Sequence, residues 1–275
     1  MSKTSDFPYL HGFSETEQNR LRAQAEFAEY TIFQNINFSQ AKKIIEVGCG
    51  VGAQTEILLR RFPKAHVTGI DLNDKQIASA KNFLSTMPTF KNRFDLHQMS
   101  ADDIKFEAHS FDAAYLCWIL EHVPNPAQVL SEVRRVLRPG AEIVITEVMN
   151  SSFFLEPYSP HVWKYWMAFN DYQHDRAGDP FIGAKLGNLL TQMGYHQVKT
   201  EVKTWHFDNR QPALRKHAIH FWTDLLLSAA DALVADKYVE AEVVTKAKEE
   251  LDKVANDPNA VFLYSFMQAK AQVYY

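Results

Sequence analysis

Ile44 to Gly52 reads Ile-Ile-Glu-Val-Gly-Cys-Gly-Val-Gly, and a polar helical stretch, Ala53 to Phe62, follows at once. An apolar run that empties into Gly48, Gly50 and Gly52 and then into a helix predicts a strand, a tight turn and a helix start. Glycine suits such a turn because the backbone takes unusual φ/ψ there and a ligand must come close to it. The helix N-terminus beyond offers unpaired N–H groups and a partial positive charge. A second strand, Ala65 to Ile70, ends in Asp71. That acid stands about twenty residues past the last glycine, where a neighbouring parallel strand brings a carboxylate beside the turn to hold ribose hydroxyls.

To this point a nicotinamide enzyme fits as well as any other nucleoside binder. Three details move the balance. The spacing is G-x-G-x-G, not G-x-G-x-x-G. Glu46 sits near the end of the first strand, where a dinucleotide binder usually carries an apolar residue. A third strand, Arg93 to Met99, ends in Ser100-Ala101-Asp102-Asp103, another acid at the same sheet edge. Phe111 to Leu116 reads as a fourth strand, apolar almost throughout, as a strand covered on both faces should be. Asn125-Pro126 looks like an N-cap with Pro at the first helical position. Val129, Leu130, Val133, Val136 and Leu137 give that helix a buried stripe, Pro139-Gly140 is expected to stop it, and Ala141 to Val148 is a fifth strand. Strands alternating with helices mean an α/β fold with a doubly wound sheet.

Glu46 to Gly52, Gly69-Ile70-Asp71, Ala101-Asp102, Phe111-Asp112 and Leu137-Arg138-Pro139-Gly140 together resemble the class I S-adenosylmethionine-dependent methyltransferases, in particular the small-molecule group of ubiquinone and menaquinone methyltransferases. The resemblance runs from Ile44 to Val148. It implies a mostly parallel, seven-stranded Rossmann-like sheet with a helical cap, and S-adenosylmethionine as cofactor. Carried over residue by residue, Glu46 would sit near the methionine amine and Gly48 would line the methionine part. Asp71 would hold the ribose and Asp102 would reach adenine N6. Cys49, Gly50, Gly52, Leu72, Gln76, Ser100, Ala101, Cys117, Trp118 and His122 are the other expected cofactor contacts.

The rest of the chain divides around that core. Residues 1–40 are expected to form an arm and a helix over the cleft. Ser14-x-x-Glu17 is a capping-box pattern, the helix is expected to run to about Ile36, and Tyr9 and Phe13 just before it are candidate substrate contacts. Residues 41–150 are the expected cofactor-binding core. Residues 151–183 are crowded with aromatics and occupy the place where the family inserts a substrate cap. Phe153, Tyr158, Trp166 and His174 are candidates there, beside Trp118 and Glu147 from the sheet edge. An ordinary helical core accounts for the aromatic density equally well. Residues 184–275 complete the sheet, with helix Ile182 to Met193 leading into it, a strand over Gln197 to Thr204, a helical insertion over 212–255 and a last strand over Val261 to Val273.

A sulfonium methyl is already a strong electrophile, so such an enzyme mainly aligns a nucleophile with it. A general base helps only when the acceptor carries a proton of high pKa. His122 is the best base in the sequence, since imidazole titrates near neutrality; a purely structural role for it is the competing reading. The implied reaction is direct methyl transfer to O, N or C of a small, partly aromatic or apolar metabolite. The alternatives are a non-catalytic S-adenosylmethionine-binding sensor or platform, or a nicotinamide-dependent dehydrogenase. The net charge of −4 and the absence of a Lys/Arg run argue against a nucleic-acid partner. Two cysteines, Cys49 and Cys117, without zinc spacing point to no metal, no disulfide and a reducing cytoplasm. No stretch has the length of a membrane span. A monomer or homodimer is expected.

Overall fold

In the computed structural model of the chain the described residues are Gly12 and residues 14–275. The first element is α1 (Glu15–Phe33). Ser14 caps it, its hydroxyl oxygen accepting the Glu17 N–H at 3.2 Å, while the Glu17 carboxylate takes the Arg20 guanidinium. Alternating strands and helices follow: β1 (Lys43–Val47), α2 (Ala53–Arg61), β2 (His66–Asp71), α3 (Asp74–Ser85), β3 (Phe94–Gln98), β4 (Phe111–Cys117), α4 (Pro126–Val136) and β5 (Leu137–Val148). Asn125 caps α4 through Gln128 N–H, with Pro126 at its first position. The helix stops at Val136, three residues before Pro139. The bulge-shifted pairing of Phe111 with Leu137 draws the chain straight into β5, and the residue before a proline disfavours helix.

The remaining elements are β6 (Phe154–Glu156), α5 (Pro160–Asp175), α6 (Leu186–Gln192), β7 (His196–Phe207), α7 (Pro212–Leu227), α8 (Ala230–Ala235), α9 (Ala241–Asn256) and β8 (Val261–Gln272). The sheet runs β3-β2-β1-β4-β5-β8, with β7 and β6 also on β8. The first five strands are parallel neighbours; β8 is antiparallel to all three of its partners. Phe262 pairs with Leu155 of β6 and with Phe207 of β7, so these two lie on opposite edges of β8. The sheet is thus the expected seven strands plus β6, a three-residue strand too short to leave a period in the sequence.

The period-two alternation of strand side chains divides the core between two faces. Ile44, Val67, Ala113, Tyr115 and Val144 pack with α1, α2 and α3. Ile45, Val47, Ile70, Ala114 and Leu116 pack with α4 and α6 on the other side. The helical insertion expected over 212–255 divides into α7, α8 and α9, the first break falling at Ser228 and Ala229. Helices α8 and α9 pack on α5, and α7 packs on α9 and meets α5 through Trp222 and Leu226, so the aromatic stretch and the later helical insertion form one body over the C-terminal edge of the sheet.

Candidate active site

The glycine turn is tied to β2 before any ligand is considered. The N–H groups of Gly48 and Cys49 both donate to Ile70 O, at 2.8 and 3.0 Å. Gly50 N–H donates to Asp71 Oδ2 at 2.9 Å, and Asn73 N–H to Asp71 Oδ1 at 2.9 Å. Asp71 therefore presents two pre-aligned oxygens, each with a lone pair beyond the one already used. Burial raises its pKa, against the pull of the Asn73 and Gly50 N–H groups. Gly50 has φ +50°, and a Cβ there would project into open space, so the turn is a cradle with bare backbone at its top. Gly52 serves packing instead: a Cβ would meet that of Ala80 at 3.0 Å, which lets α2 start close against α3.

A cleft of about 680 Å³ opens above this turn, within the range of roughly 300–1,000 Å³ usual for ligand sites. It lies at the C-terminal ends of the strands where the order reverses between β1 and β4, the point at which open α/β sheets bind ligands. Gly48, Cys49, Gly50, Asp71, Leu72, Gln76, Ser100, Ala101 and Asp102 line one end, and Cys117, Trp118 and His122 line its continuation. Asp102 is exposed and shares a hydrogen bond with Ser100 Oγ. Gln76 Oε1, Trp118 Nε1 and Trp222 Nε1 are buried without a protein partner, and all three residues line the cleft.

Several expected contacts fall elsewhere. Glu46 does not line the cleft: strand alternation puts it on the face of Ile44, under α2, where its Oε2 takes the Thr55 hydroxyl at 2.5 Å. Gly52 is likewise behind the wall. Glu147 is fully buried and accepts N–H groups from Ile119 at 2.9 Å, Leu120 at 2.7 Å and Glu121 at 3.4 Å. It is a cap for the turn carrying Glu121 and His122, not a substrate contact. Burial, then the neighbouring Glu121, holds its carboxyl well above the usual range. Phe153 is core, stacked on Trp222 at 5.3 Å and 12°. Tyr158 and the His174 side chain are each 72% exposed and away from the cleft. Of the cap candidates, only Trp166 lines the site. Tyr9 and Phe13 lie outside the described residues. Burial pushes both cysteine thiols well up, which suits neither a nucleophile nor a ligand; among the described residues no metal-binding cluster occurs, and no helix is long and apolar enough to cross a membrane.

Other wall residues went unread in the sequence. Arg20, Leu21 and Gln24 of α1 overhang the cleft, and Phe169, Trp205, Phe221, Trp222 and Tyr264 close its far end. The aromatics at the two ends of 205–222, Trp205 and Phe207, Phe221 and Trp222, were the available signal for the later part of that wall. What it lacked was adjacency in the chain, which only β7 and α7 supply.

Residues 45–145 match the methyltransferase domain family. The chain belongs to the class I methyltransferases. It is 31% identical over 195 residues to O-methyltransferase cnsE of Penicillium expansum, covering 69% of this chain and 66% of that protein. It is 32% identical over 146 residues to the ubiquinone biosynthesis O-methyltransferase of Aromatoleum aromaticum, covering 53% and 55%. The fold is that of phosphoethanolamine N-methyltransferase 2 of Haemonchus contortus, solved with S-adenosylhomocysteine: TM-score 0.55, 15% identity, covering 100% of this chain and 61% of that one. The chain spans from about a third to two thirds of the length of the curated relatives it matches. The cofactor of this methyltransferase domain is S-adenosylmethionine.

Glu46 gives the methyltransferase domain a pH signature. Burial raises its carboxyl to about 8, against the Thr55 hydrogen bond and with help from Asp71. An acid whose folded pKa exceeds its unfolded one stabilises fully below the unfolded value of 4.5 and loses that contribution as pH rises through the folded value. Denaturant unfolding at pH 5.5 and 8.5 is expected to show wild type losing stability on the order of a few kcal/mol. Glu46→Gln, neutral throughout, is expected to flatten that loss; an equal slope in both proteins rejects the assignment.

Proposed function

We propose that this chain transfers the methyl group of S-adenosylmethionine directly to an O, N or C atom of a small, partly apolar metabolite. The observation that carries the reading is the continuity of one cleft, from the glycine turn and Asp71 at one end to an aromatic chamber at the other. When bound, the cofactor supplies an electrophilic methyl on a sulfonium sulfur. Asp71 holds the ribose hydroxyls with its second lone pairs, and Gly50 lets the cofactor lie against bare backbone. Ser100, Ala101 and Asp102 border the adenine, with Gln76 Oε1 and Leu72 beside it. His122, whose Nε2 stands 3.7 Å from Glu121 Oε1, takes the acceptor's proton where there is one to lose.

The helical body built from residues 151–183 and 212–255 acts in this reading as a cap that keeps water from the transferred methyl. Trp166, Phe169 and Phe221 face the chamber from it, and α1 leans over the same opening, tied to α3 where Arg22 and Gln18 meet Ser79. Cofactor binding and cap ordering are then coupled. Hydrogen exchange with S-adenosylhomocysteine is expected to raise protection in α1 around Arg20 to Ala25 and in α5 around Trp166 to Phe169, beyond the glycine turn. Protection confined to residues 48–52, 71 and 102 rejects the cap. Incubation with methyl-labelled cofactor and a metabolite extract tests the transfer itself. Tight cofactor binding with no labelled product from any extract favours the sensor reading.

A further inference from the structure

Away from the glycine turn the cleft changes character. Trp118, Trp166, Phe169, Trp205 and Phe221 wall its far end. Trp166 and Phe169 stack with centroids 5.5 Å apart and planes at 11°, and Trp118 meets Trp205 edge to face at 6.5 Å. Of the neutral polar groups there, Trp118 Nε1 and Trp222 Nε1 are buried without a protein partner, while those around Asn150 are used within the protein. Asn150 donates its amide N–H to Asn170 Oδ1 at 2.7 Å and accepts the Tyr264 hydroxyl at 2.8 Å, and its carbonyl takes the Trp166 indole N–H at 3.2 Å.

The charge at this end belongs to Glu121. It is 8% exposed and lines the cleft. Its Oε2 accepts from Gln173 Nε2 at 2.8 Å, and its Oε1 stands 3.7 Å from His122 Nε2. Glu147 lies directly behind, on the same turn's N–H groups. Among the described residues that line the cleft, the only Lys or Arg is Arg20, and its guanidinium is held by Glu17 and Gln24. Apart from Arg20, the described residues lining the cleft offer an anionic acceptor no Lys or Arg to offset the Glu121 carboxylate, a cost that a desolvated chamber magnifies. A cation meets the opposite: ring faces that attract it and a carboxylate placed to pair with it.

Resting on the methyltransferase reading above, we propose that the acceptor is an amine on an apolar or aromatic body, recognised in its ammonium form by these ring faces and by Glu121. The ammonium first gives one proton to His122. The freed nitrogen lone pair then forms the N–C bond while the S–C bond breaks and its electron pair stays on sulfur. The products are the methylated ammonium and S-adenosylhomocysteine, and His122 returns its proton to water.

Calorimetry on the full chain saturated with S-adenosylhomocysteine tests this with three probes alike in ring and length: 2-phenylethylamine, 2-phenylethanol and 3-phenylpropionate. The amine is expected to bind at least tenfold more tightly than the alcohol, and the acid most weakly. In Glu121→Gln the amine-to-alcohol ratio is expected to fall to within threefold, with cofactor affinity retained. Phe169→Leu, which removes a ring and keeps an apolar side chain, is expected to narrow the ratio as well, and serves alone if the first variant does not fold. Alcohol or acid binding as tightly as the amine, no amine binding, or a ratio unchanged in the folded variants overturns the proposal. The cofactor titration, run first, separates the two levels. If S-adenosylhomocysteine fails to bind, the methyltransferase reading falls and the amine proposal with it; if it binds and the amine preference is missing, only the amine proposal falls.

Discussion

Asp71→Ala is expected to weaken S-adenosylhomocysteine binding by at least about a hundredfold. Two hydrogen bonds to a carboxylate are lost, each worth about 1.5–3 kcal/mol, and a hundredfold is about 2.7 kcal/mol. The fold adds a second cost, because the same two oxygens hold the N–H groups of Gly50 and Asn73. Removing the carboxylate loosens the turn that cradles the ligand as well as its ribose contact. Asp71→Asn keeps one accepting oxygen and is expected to fall between wild type and alanine. Asp102→Ala is expected to lose less, since Asp102 is exposed and screened. Calorimetry on the folded variants decides; unchanged affinity in Asp71→Ala would remove Asp71 from the cofactor site.

His122→Ala is expected to lower kcat by about 10²–10⁴ with cofactor affinity preserved, the usual range for loss of a general base. The residue sits on a short turn whose position is fixed from three sides. His122 N–H reaches Ile119 O at 2.9 Å, Glu147 takes the N–H groups at the start of the turn, and Asp179 N–H holds Glu121 O at 2.8 Å. Such support keeps an imidazole in place for proton transfer, and it lets the alanine variant fold. Single-turnover rates with a methyl acceptor, read beside the thermal midpoint, separate the roles. A rate within threefold of wild type, or a loss accounted for by unfolding alone, rejects His122 as the base.

The glycine-turn end of the cleft was legible in the sequence because its geometry is local. A strand feeding a glycine turn, a helix start and an acid on the next strand are fixed by neighbours in the chain, so Gly48, Gly50, Asp71 and Asp102 came out at one sheet edge. The exceptions follow the same logic. Glu46 and Gly52 belong to the motif, but strand alternation and helix packing turn them away from the cleft, and a linear pattern records spacing without facing. Their burial, against Thr55 and Ala80, appears only when α2 and α3 are laid on the sheet.

The acceptor end was decided by tertiary structure. Phe153, Tyr158, Trp166 and His174 looked alike as aromatics of one stretch, yet they divide among core, surface and chamber. For Trp166 and His174 that division is set by how α5 rolls against α7 and α9, and for Phe153 by its packing on Trp222 of α7 and Phe262 of β8. Glu147 could be placed at the edge of the fifth strand, but its role as a cap on residues 119–121 depends on the turn that β4 delivers beside it. By itself, then, the sequence determined the doubly wound sheet, the glycine turn and the acids at the sheet edge, because backbone geometry and hydrophobic period act within a few residues. Which rings line the far end of the cleft and which carboxylate stands among them was decided by contacts between segments 52 to 114 residues apart, whose burial no local pattern encodes.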